Sequence, residues 1–433
     1  MKFYSTKNTN HLVSLREAVL QGLPPDNGLY MPTEIPVLPV DMIDAVKGMQ
    51  LPEIAVKVLS PFLREELSNS SIADIAESAF NFDAPLVHLD ENLYTLELFH
   101  GPTLAFKDFA ARFMARLLGN FIEECQQKLT ILVATSGDTG SAVAQGFYKV
   151  AGIDVVVLYP SGKVSPLQEK QMTTLGGNIS VLEVNGSFDD CQALVKRAFL
   201  DAELRKSRAL SSANSINIAR LLPQTIYYFR ALAQLPVGQP VIVSVPSGNF
   251  GNLTAGVLAR KMGLPINGFI AATNANDIVP NYIHSGTFQP KPSLATLSNA
   301  MDVGNPSNFP RLLKLCNESY DALKQLIDGA AFSDKATLDG IRKLYVDYQY
   351  VADPHGAIGF LGLESNEQNR DTFCHVFLET AHPAKFPDVV FKALNKEPDV
   401  PMQFTDLMNK KGSAVQIEAT YEILRDWLLK DSG

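Results

Sequence analysis

From about Tyr94 to Phe386 the chain alternates short apolar runs with stretches of helical period, and this alternation limits its fold more than any other feature. The runs Leu129 to Ala134, Asp154 to Tyr159, Asn178 to Glu183, Val241 to Val245, Gly268 to Ala272 and Thr372 to Leu378 read as strands. Between most of them lie helical periods: Phe109 to Glu124, Thr139 to Val150, Ser165 to Thr174, Phe188 to Phe199, Ile216 to Ala233 and Asn252 to Met262. Runs apolar on both faces and separated by helices belong to parallel sheets covered on either side, so the class is α/β. In such sheets ligands sit beyond the carboxyl ends of the strands, which makes the loops after them the place to look for chemistry.

The flanks read differently. Residues 1 to about 80 are expected to be mostly helical: Val13 to Leu20 has helical spacing and stops at Gly22 before Pro24 and Pro25. Pro32, Pro36 and Pro39 keep the next stretch extended, and a second helical set runs from Leu51 to Leu67. Helix returns after Phe386. The expected organisation is an N-terminal mainly helical domain (1–93), a central α/β region (94–390) and a C-terminal helical tail (391–433). Within the central region a smaller subdomain covers about 125–215 and the flanking segments form a larger one. Asn274 to Pro310 is rich in Asn, Pro and Ser with little periodicity, and reads as a functional loop.

Composition removes several function classes. A length of 433 residues predicts two or three domains, and 46% hydrophobic with 19% charged residues describes a well-filled globular protein. A net charge of -9 argues against nucleic acid or an anionic membrane surface as partner. The uncharged run from Ala231 to Ala259 contains Pro236, Pro240 and Pro246, and reads as a buried strand with its loops instead of a membrane span. Cys125, Cys191, Cys316 and Cys374 are scattered without a CxxC pair, and the start of the chain lacks the apolar core of a signal peptide. A reducing, cytoplasmic setting is expected. No metal site is expected either: there is no HExxH, the seven His show no ligand-like pairing, and lone residues such as His355 and His382 read as structural.

Five stretches remain as candidates. Lys107 sits in Glu97-Leu98-Phe99-His100-Gly101-Pro102-Thr103-Leu104-Ala105-Phe106-Lys107-Asp108-Phe109, a turn shaped by Gly and Pro with Phe on both sides. An ammonium among apolar groups loses solvation, so its pKa falls and the neutral amine becomes available as a nucleophile or Schiff-base former. The same stretch also suits a lysine that carries its charge past an apolar stem to water, with Asp108 as ion partner. Thr135-Ser136-Gly137-Asp138-Thr139-Gly140 offers hydroxyls and free N–H groups at a helix start, fit for a carboxylate or simply an N-cap at Asp138 or Thr139. In Pro246-Ser247-Gly248-Asn249-Phe250-Gly251-Asn252 two Gly let the backbone approach a ligand and the next helix adds its dipole, which suits a phosphate. The loop is neither GxGxxG nor GxxxxGK[ST], so a nucleotide fold is not indicated. In Glu379-Thr380-Ala381-His382-Pro383, the Thr380 hydroxyl stands where it can meet a ring nitrogen or cap a helix. If the chain is helical from Ile216, Asn217 and Arg220 share a face with Ser215 at the cap, and the three form either an oxyanion clamp or a solvated surface.

Together these stretches resemble the threonine synthase family of fold type II pyridoxal-phosphate enzymes. HGPTLAFKDF, ATSGDTG, SGKVSPLQEKQM, SANSINIARLLPQ, VPSGNFGNLTAG, ATNANDIVP, TLSNAMDV, DPHGA and TAHPAKF occur in the family's order over nearly the whole chain. The resemblance implies a tryptophan synthase β-like architecture with two parallel-rich sheet domains, and pyridoxal 5'-phosphate as cofactor. It implies Lys107 as the Schiff-base lysine and Gly248, Asn249, Phe250, Gly251 and Asn252 as the cradle for the cofactor phosphate. Thr380 would face the pyridine nitrogen and Asp138 the phenolic oxygen, where many relatives carry Asn. Thr135, Ser136 and Thr139 would hold the substrate carboxylate, and Ser215, Asn217 and Arg220 the phosphate of O-phospho-L-homoserine. The chain also departs from the family pattern at Ile218, often Pro, and at Glu379, often Gly. Monomer and homodimer both remain open.

Overall fold

The computed structural model describes residues 1–126, 128–236, 238–366 and 372–430. Residue 237 of the uncharged run and the last three residues of the tail lie outside them. In chain order the strands are β1 (Phe3–Ser5), β2 (Asn8–Val13), β3 (Tyr30–Pro32), β4 (Leu86–Asp90), β5 (Leu93–Glu97), β6 (Leu129–Ala134) and β7 (Ile153–Pro160). They continue with β8 (Ile179–Asn185), β9 (Ala209–Ser212), β10 (Val241–Pro246), β11 (Gly268–Thr273), β12 (Ile327–Ala331), β13 (Cys374–Glu379) and β14 (Val415–Glu418).

They form three sheets. The smaller of the two central sheets has the order β14-β8-β7-β6-β9 and is parallel throughout. The larger has the order β12-β11-β10-β13-β5-β4, parallel except for the antiparallel edge pair β4 and β5. Central strands such as Leu129–Ala134 and Val241–Pro246 are buried at every position, which is why they read as unbroken apolar runs. All six expected strands form, with ends shifted by no more than two residues. The strands that sequence reading passed over are short or poor in β-formers: Ala209–Ser212 has four residues, and Ile327–Ala331 contains Gly and two Ala.

Three expectations are corrected. The N-terminal region is not mainly helical at its start, because β2-β1-β3 make an antiparallel sheet there. Two of these strands have three residues, too few for alternation to register. The single helix expected from Ile216 to Ala233 is broken into Ile218–Leu221, a 3-10 turn at Leu222–Gln224 and Thr225–Gln234, since Pro223 has no N–H to continue it. The tail is not only helical: after the helices Pro387–Leu394 and Met402–Met408 it supplies β14 to the small sheet, and Leu424 and Leu428 of its last helix pack beside Leu182 and Leu194. The loop from Asn274 to Pro310 also holds a helix, Ile278–Ser285.

Candidate active site

The loops after β6, β10 and β13 converge with the Lys107 turn on one cavity between the two central sheets. Its lining includes Lys107, Thr135, Ser136, Asp138, Thr139, Ser215, Arg220, Gly248, Asn249, Phe250, Gly251, Asn252 and Thr380, all expected from sequence. A wider groove between the helices Asn69–Ala79 and Lys107–Cys125 is open to solvent and holds none of them.

Lys107 opens the helix Lys107–Cys125. The turn before it lies against the end of β13: Phe106 N–H donates to the Thr380 carbonyl at 2.9 Å and His382 N–H to the Leu104 carbonyl at 3.0 Å. Leu104 takes a left-handed φ of 58° to make this bend. Asp108 is not a surface ion partner. Fully buried, it accepts from Thr103 N–H at 2.8 Å and Thr103 Oγ1 at 2.6 Å, which clamps the turn. A Cβ at Gly101 would lie 2.5 Å from the Asp108 carboxylate, so only glycine fits there. Burial lowers the Lys107 pKa from its ordinary value, Asp138 opposes the shift, and the charges of Lys385 and Arg220 add to it.

Asp138 begins the helix Asp138–Phe147 and lies 3.5 Å from Lys107 Nζ through Oδ2. Its Oδ1 accepts from Gln168 Nε2 at 2.8 Å and from Lys385 Nζ at 2.6 Å. Burial alone would raise its pKa, yet Lys385, Lys107 and these hydrogen bonds hold it well below the ordinary carboxylate range. Lys385, completely buried, also donates to the Thr103 carbonyl at 2.8 Å. Sequence reading missed this residue, whose signal was a lone lysine within an otherwise apolar TAHPAKF stretch. Thr135 Oγ1 accepts from Gly137 and Gly140 N–H at 2.9 and 2.8 Å and so shapes its loop, while Ser136 and Thr139 stay partly open to the cavity.

On the facing loop, Gly248 and Gly251 differ in kind. A Cβ on Gly248 would meet Met301 Cα at 2.8 Å, whereas one on Gly251 would find nothing closer than Asn308 Nδ2 at 3.5 Å. The left-handed residue is Phe250, at φ 61°, and not either glycine. Three buried donors around this loop, Asn252 Nδ2, Asn308 Nδ2 and Arg220 Nε, have no hydrogen-bond partner. The Asn252 amide oxygen accepts from Tyr227 OH at 2.8 Å and Tyr228 OH at 2.7 Å, which fixes the side chain while leaving its nitrogen free. Buried unpaired donors at the N-terminus of the helix Gly251–Lys261 make an anion site.

Of the three residues expected to bind substrate phosphate, two line the cavity and one does not. Arg220 is buried, bonds the Ala213 carbonyl, and has its pKa brought down to about 10 by burial. Ser215 lies beside Ser307, Oγ to Oγ 3.4 Å. Asn217, not Ser215, caps the short helix, accepting from Ala219 N–H at 3.0 Å. Its amide nitrogen donates to Val19 and Ser212 carbonyls at 2.9 and 3.1 Å, so the whole group is occupied in tying this loop to the N-terminal domain. Arg311, also missed from sequence, is fully buried and reaches the carbonyls of Tyr30, Ser215 and Ile216 at 3.0, 3.1 and 2.7 Å. The N-terminal sheet thus braces the Ser215 loop.

The remaining wall is acidic. Glu379, just before Thr380, is fully buried and accepts from Asp353 N–H at 2.6 Å. Burial, then the neighbouring Asp353, pushes its pKa well above the ordinary value. Asp353 Oδ1 in turn meets His355 Nδ1 at 2.6 Å, and His355 reaches the cavity. Asp302 lines the cavity nearby with its pKa raised to about 6 by burial, against hydrogen bonds from Thr296.

A desolvated lysine amine, a glycine-lined helix N-terminus with unpaired donors, and a threonine hydroxyl beyond a parallel strand fit the aldehyde, phosphate and ring nitrogen of pyridoxal 5'-phosphate. The fold and this site define a pyridoxal-phosphate dependent enzyme, and residues 80–378 match the family model of that description. Residues 2–80 match the model for the threonine synthase N terminus and residues 356–427 that for threonine synthase, C-terminal. The sequence is 47% identical to the threonine synthase of Haemophilus influenzae, over 99% of this chain and 100% of the relative. It superposes on the crystal structure of threonine synthase from Escherichia coli with a TM-score of 0.93 at 44% identity, covering 99% of this chain and 100% of the other. For PLP-bound threonine synthase from Brucella melitensis the TM-score is 0.95 at 37% identity, covering 100% and 99%. The chain belongs to the threonine synthase family.

Proposed function

We propose that the chain carries out the reaction for which its family is named, converting O-phospho-L-homoserine and water to L-threonine and phosphate. The observation that carries this reading is one cavity holding both a desolvated lysine and a buried arginine with an unpaired Nε. Pyridoxal 5'-phosphate would be held by Lys107, by the Gly248, Asn249, Phe250, Gly251 and Asn252 loop, by Thr380 and by Asp138. When bound, it acts as an electron sink that makes the α- and β-protons of an attached amino acid acidic.

The chain's own residues do the rest. Lys107, once its amine is free, takes the Cα proton and then a Cβ proton, one amine serving several transfers on one face. Ser215 and Arg220 hold the γ-phosphate and steady the charge that grows on it as the Cγ–O bond breaks. Thr135, Ser136 and Thr139 orient the carboxylate. Once the phosphate has left, one proton returns to Cγ to make the methyl group, water adds at Cβ, and Lys107 returns a proton to Cα. Asn217 supports the loop without touching substrate. The four cysteines, free in the structure, suit a reducing cytoplasm. Among the described residues no helix is long and apolar enough to cross a membrane.

The test is to measure phosphate release and threonine formation from O-phospho-L-homoserine. Stoichiometric appearance of both supports the reading. Deamination of serine or threonine without turnover of the phosphorylated substrate would reassign the chain to a dehydratase.

A further inference from the structure

We propose that Lys385 is a positioning residue: it is the permanent counter-ion of Asp138, and by holding that carboxylate it leaves Lys107 as the neutral amine of the site. Two lysines and one carboxylate meet here, with side-chain exposures of 0% for Lys385, 15% for Lys107 and 3% for Asp138. A single buried carboxylate balances one ammonium, so a second proton in the cluster is disfavoured by desolvation and by repulsion between the lysines. The question is which lysine keeps the proton.

The surroundings answer it. Lys385 Nζ has two acceptors in good range, Asp138 Oδ1 at 2.6 Å and the Thr103 carbonyl at 2.8 Å, and both favour its charged form. Lys107 Nζ meets Asp138 Oδ2 only at 3.5 Å, the outer limit of a hydrogen bond, and otherwise faces the Phe106 ring at 4.9 Å. The other charged groups near the cluster do not change the order. Arg220 repels a charge on Lys107, and Asp108 acts on Lys385 while its own oxygens are held by Thr103. Lys385 is therefore the partner that Asp138 holds closely, which leaves the Lys107 lone pair to add to the cofactor aldehyde carbon, the carbonyl oxygen leaving as water. Lys385 also ties the Thr103 turn of the large sheet to the first residue of the Asp138 helix, and Gln168 and Gln171 brace the same two points at 2.8 and 3.1 Å.

The proposal rests on Lys107 as the cofactor lysine, and its test uses no amino-acid substrate, so its failure leaves the choice of substrate untouched. Full-length wild type, Lys385→Met, Asp138→Asn and the double variant are mixed with pyridoxal 5'-phosphate across a pH series. The covalent bond is trapped with borohydride, and the label is quantified and located by peptide mapping. In Lys385→Met the carboxylate recruits Lys107 as its cation, so the pH midpoint for trapping rises by about one unit or more, which is about tenfold less bond formation at neutral pH. In the double variant, with neither charge, the midpoint returns toward wild type. Asp138→Asn alone, which keeps the side-chain volume, moves it to lower pH. A midpoint unmoved in Asp138→Asn overturns the proposal even if Lys385→Met fails to fold, as does a double variant no better than Lys385→Met. Label on Lys385 in the wild type would overturn both the proposal and the assignment of Lys107.

Discussion

Asp138 and Glu379 are both buried carboxyl groups at the ends of elements that build one cavity, yet their pKa values move in opposite directions. Asp138 has Lys385, Lys107 and Gln168 around it and is held far below the usual range. Glu379 has Asp353 and Glu97 for neighbours, one backbone N–H for a donor and an Oε2 with no partner, and burial pushes it well above that range. Burial acts on both in the same direction, so the partners decide the sign. The small-sheet side of the site carries a fixed ion pair for the chemistry of Lys107. The large-sheet side carries a carboxyl whose pKa is raised, and Asp353, whose N–H donates to it, also meets His355 of the cavity.

The most severe way to break this contrast is to remove Lys107. Lys107→Ala is expected to lower turnover by more than about 10²–10⁴-fold, since attachment and proton transfer both go with the amine. Because Lys385 still neutralises Asp138, the protein should stay folded. Circular dichroism together with loss of the borohydride-trapped label checks both halves, and an unfolded variant would mean that Lys385 does not suffice as counter-ion.

Arg220→Ala tests a cation that belongs to neither carboxylate. Two charge-assisted bonds to a phosphate, at about 1.5–3 kcal/mol each, imply a loss of about 10²- to 10⁴-fold in kcat/KM. Cofactor binding should change far less than turnover, because the cofactor phosphate is assigned to the Gly248 to Asn252 loop, while loss of the Arg220 charge removes only its repulsion of a charged Lys107. Near-wild-type kinetics with O-phospho-L-homoserine would return Arg220 to a role in supporting the Ala213 loop alone.

The two loop glycines sharpen the picture further. Gly251→Val adds bulk where the protein leaves room, so it should keep the fold and weaken cofactor affinity about ten- to a hundredfold, the equivalent of one lost charge-assisted hydrogen bond. Gly248→Val instead drives a side chain into the backbone of Met301 and should lower thermal stability before it alters affinity. Equal cofactor titrations for wild type and Gly251→Val would place the phosphate elsewhere.

How much of this was legible in the sequence depended on whether a signal was local. Strands buried on both faces declare themselves as unbroken apolar runs, and glycine-bearing turns after them mark the ligand end of the sheets. Lys107 was visible for the same reason, a charge isolated among Phe, Gly and Pro. Lys385 and Arg311 were not, since a buried cation looks like any other until its partners, Asp138 at 247 residues from Lys385 and the Tyr30, Ser215 and Ile216 carbonyls at 95 or more from Arg311, are brought beside it. Asn217 failed in the opposite way. Its spacing from Arg220 was right for a shared face, but the helix starts only at Ile218, so Asn217 is its cap and the amide turns to the Val19 carbonyl instead.

The mildest expected effect on turnover is that of Glu379→Gln, and it bears most directly on the contrast between the two acids. An amide has the shape of a protonated carboxyl and its oxygen can still accept from Asp353 N–H, so the variant should stay folded and active. Its signature is in stability. A carboxyl whose folded pKa lies above its unfolded value contributes stability that is complete below the unfolded value of 4.5 and is lost as pH rises toward the folded one. Asp138 has the reverse sign: its contribution is complete above its unfolded value of 3.8 and is lost as pH falls toward its depressed folded value. Wild type and Glu379→Gln should therefore be within about 1 kcal/mol of each other in mild acid. As pH rises, the variant should gain on wild type by up to about 1.4 kcal/mol per unit, because only the wild type must keep a proton to fold. Asp138→Asn should leave that alkaline slope intact and remove part of the acid one. Urea unfolding of the three proteins across pH measures all of this, and parallel curves for wild type and Glu379→Gln would mean that Glu379 does not hold its proton in the folded state.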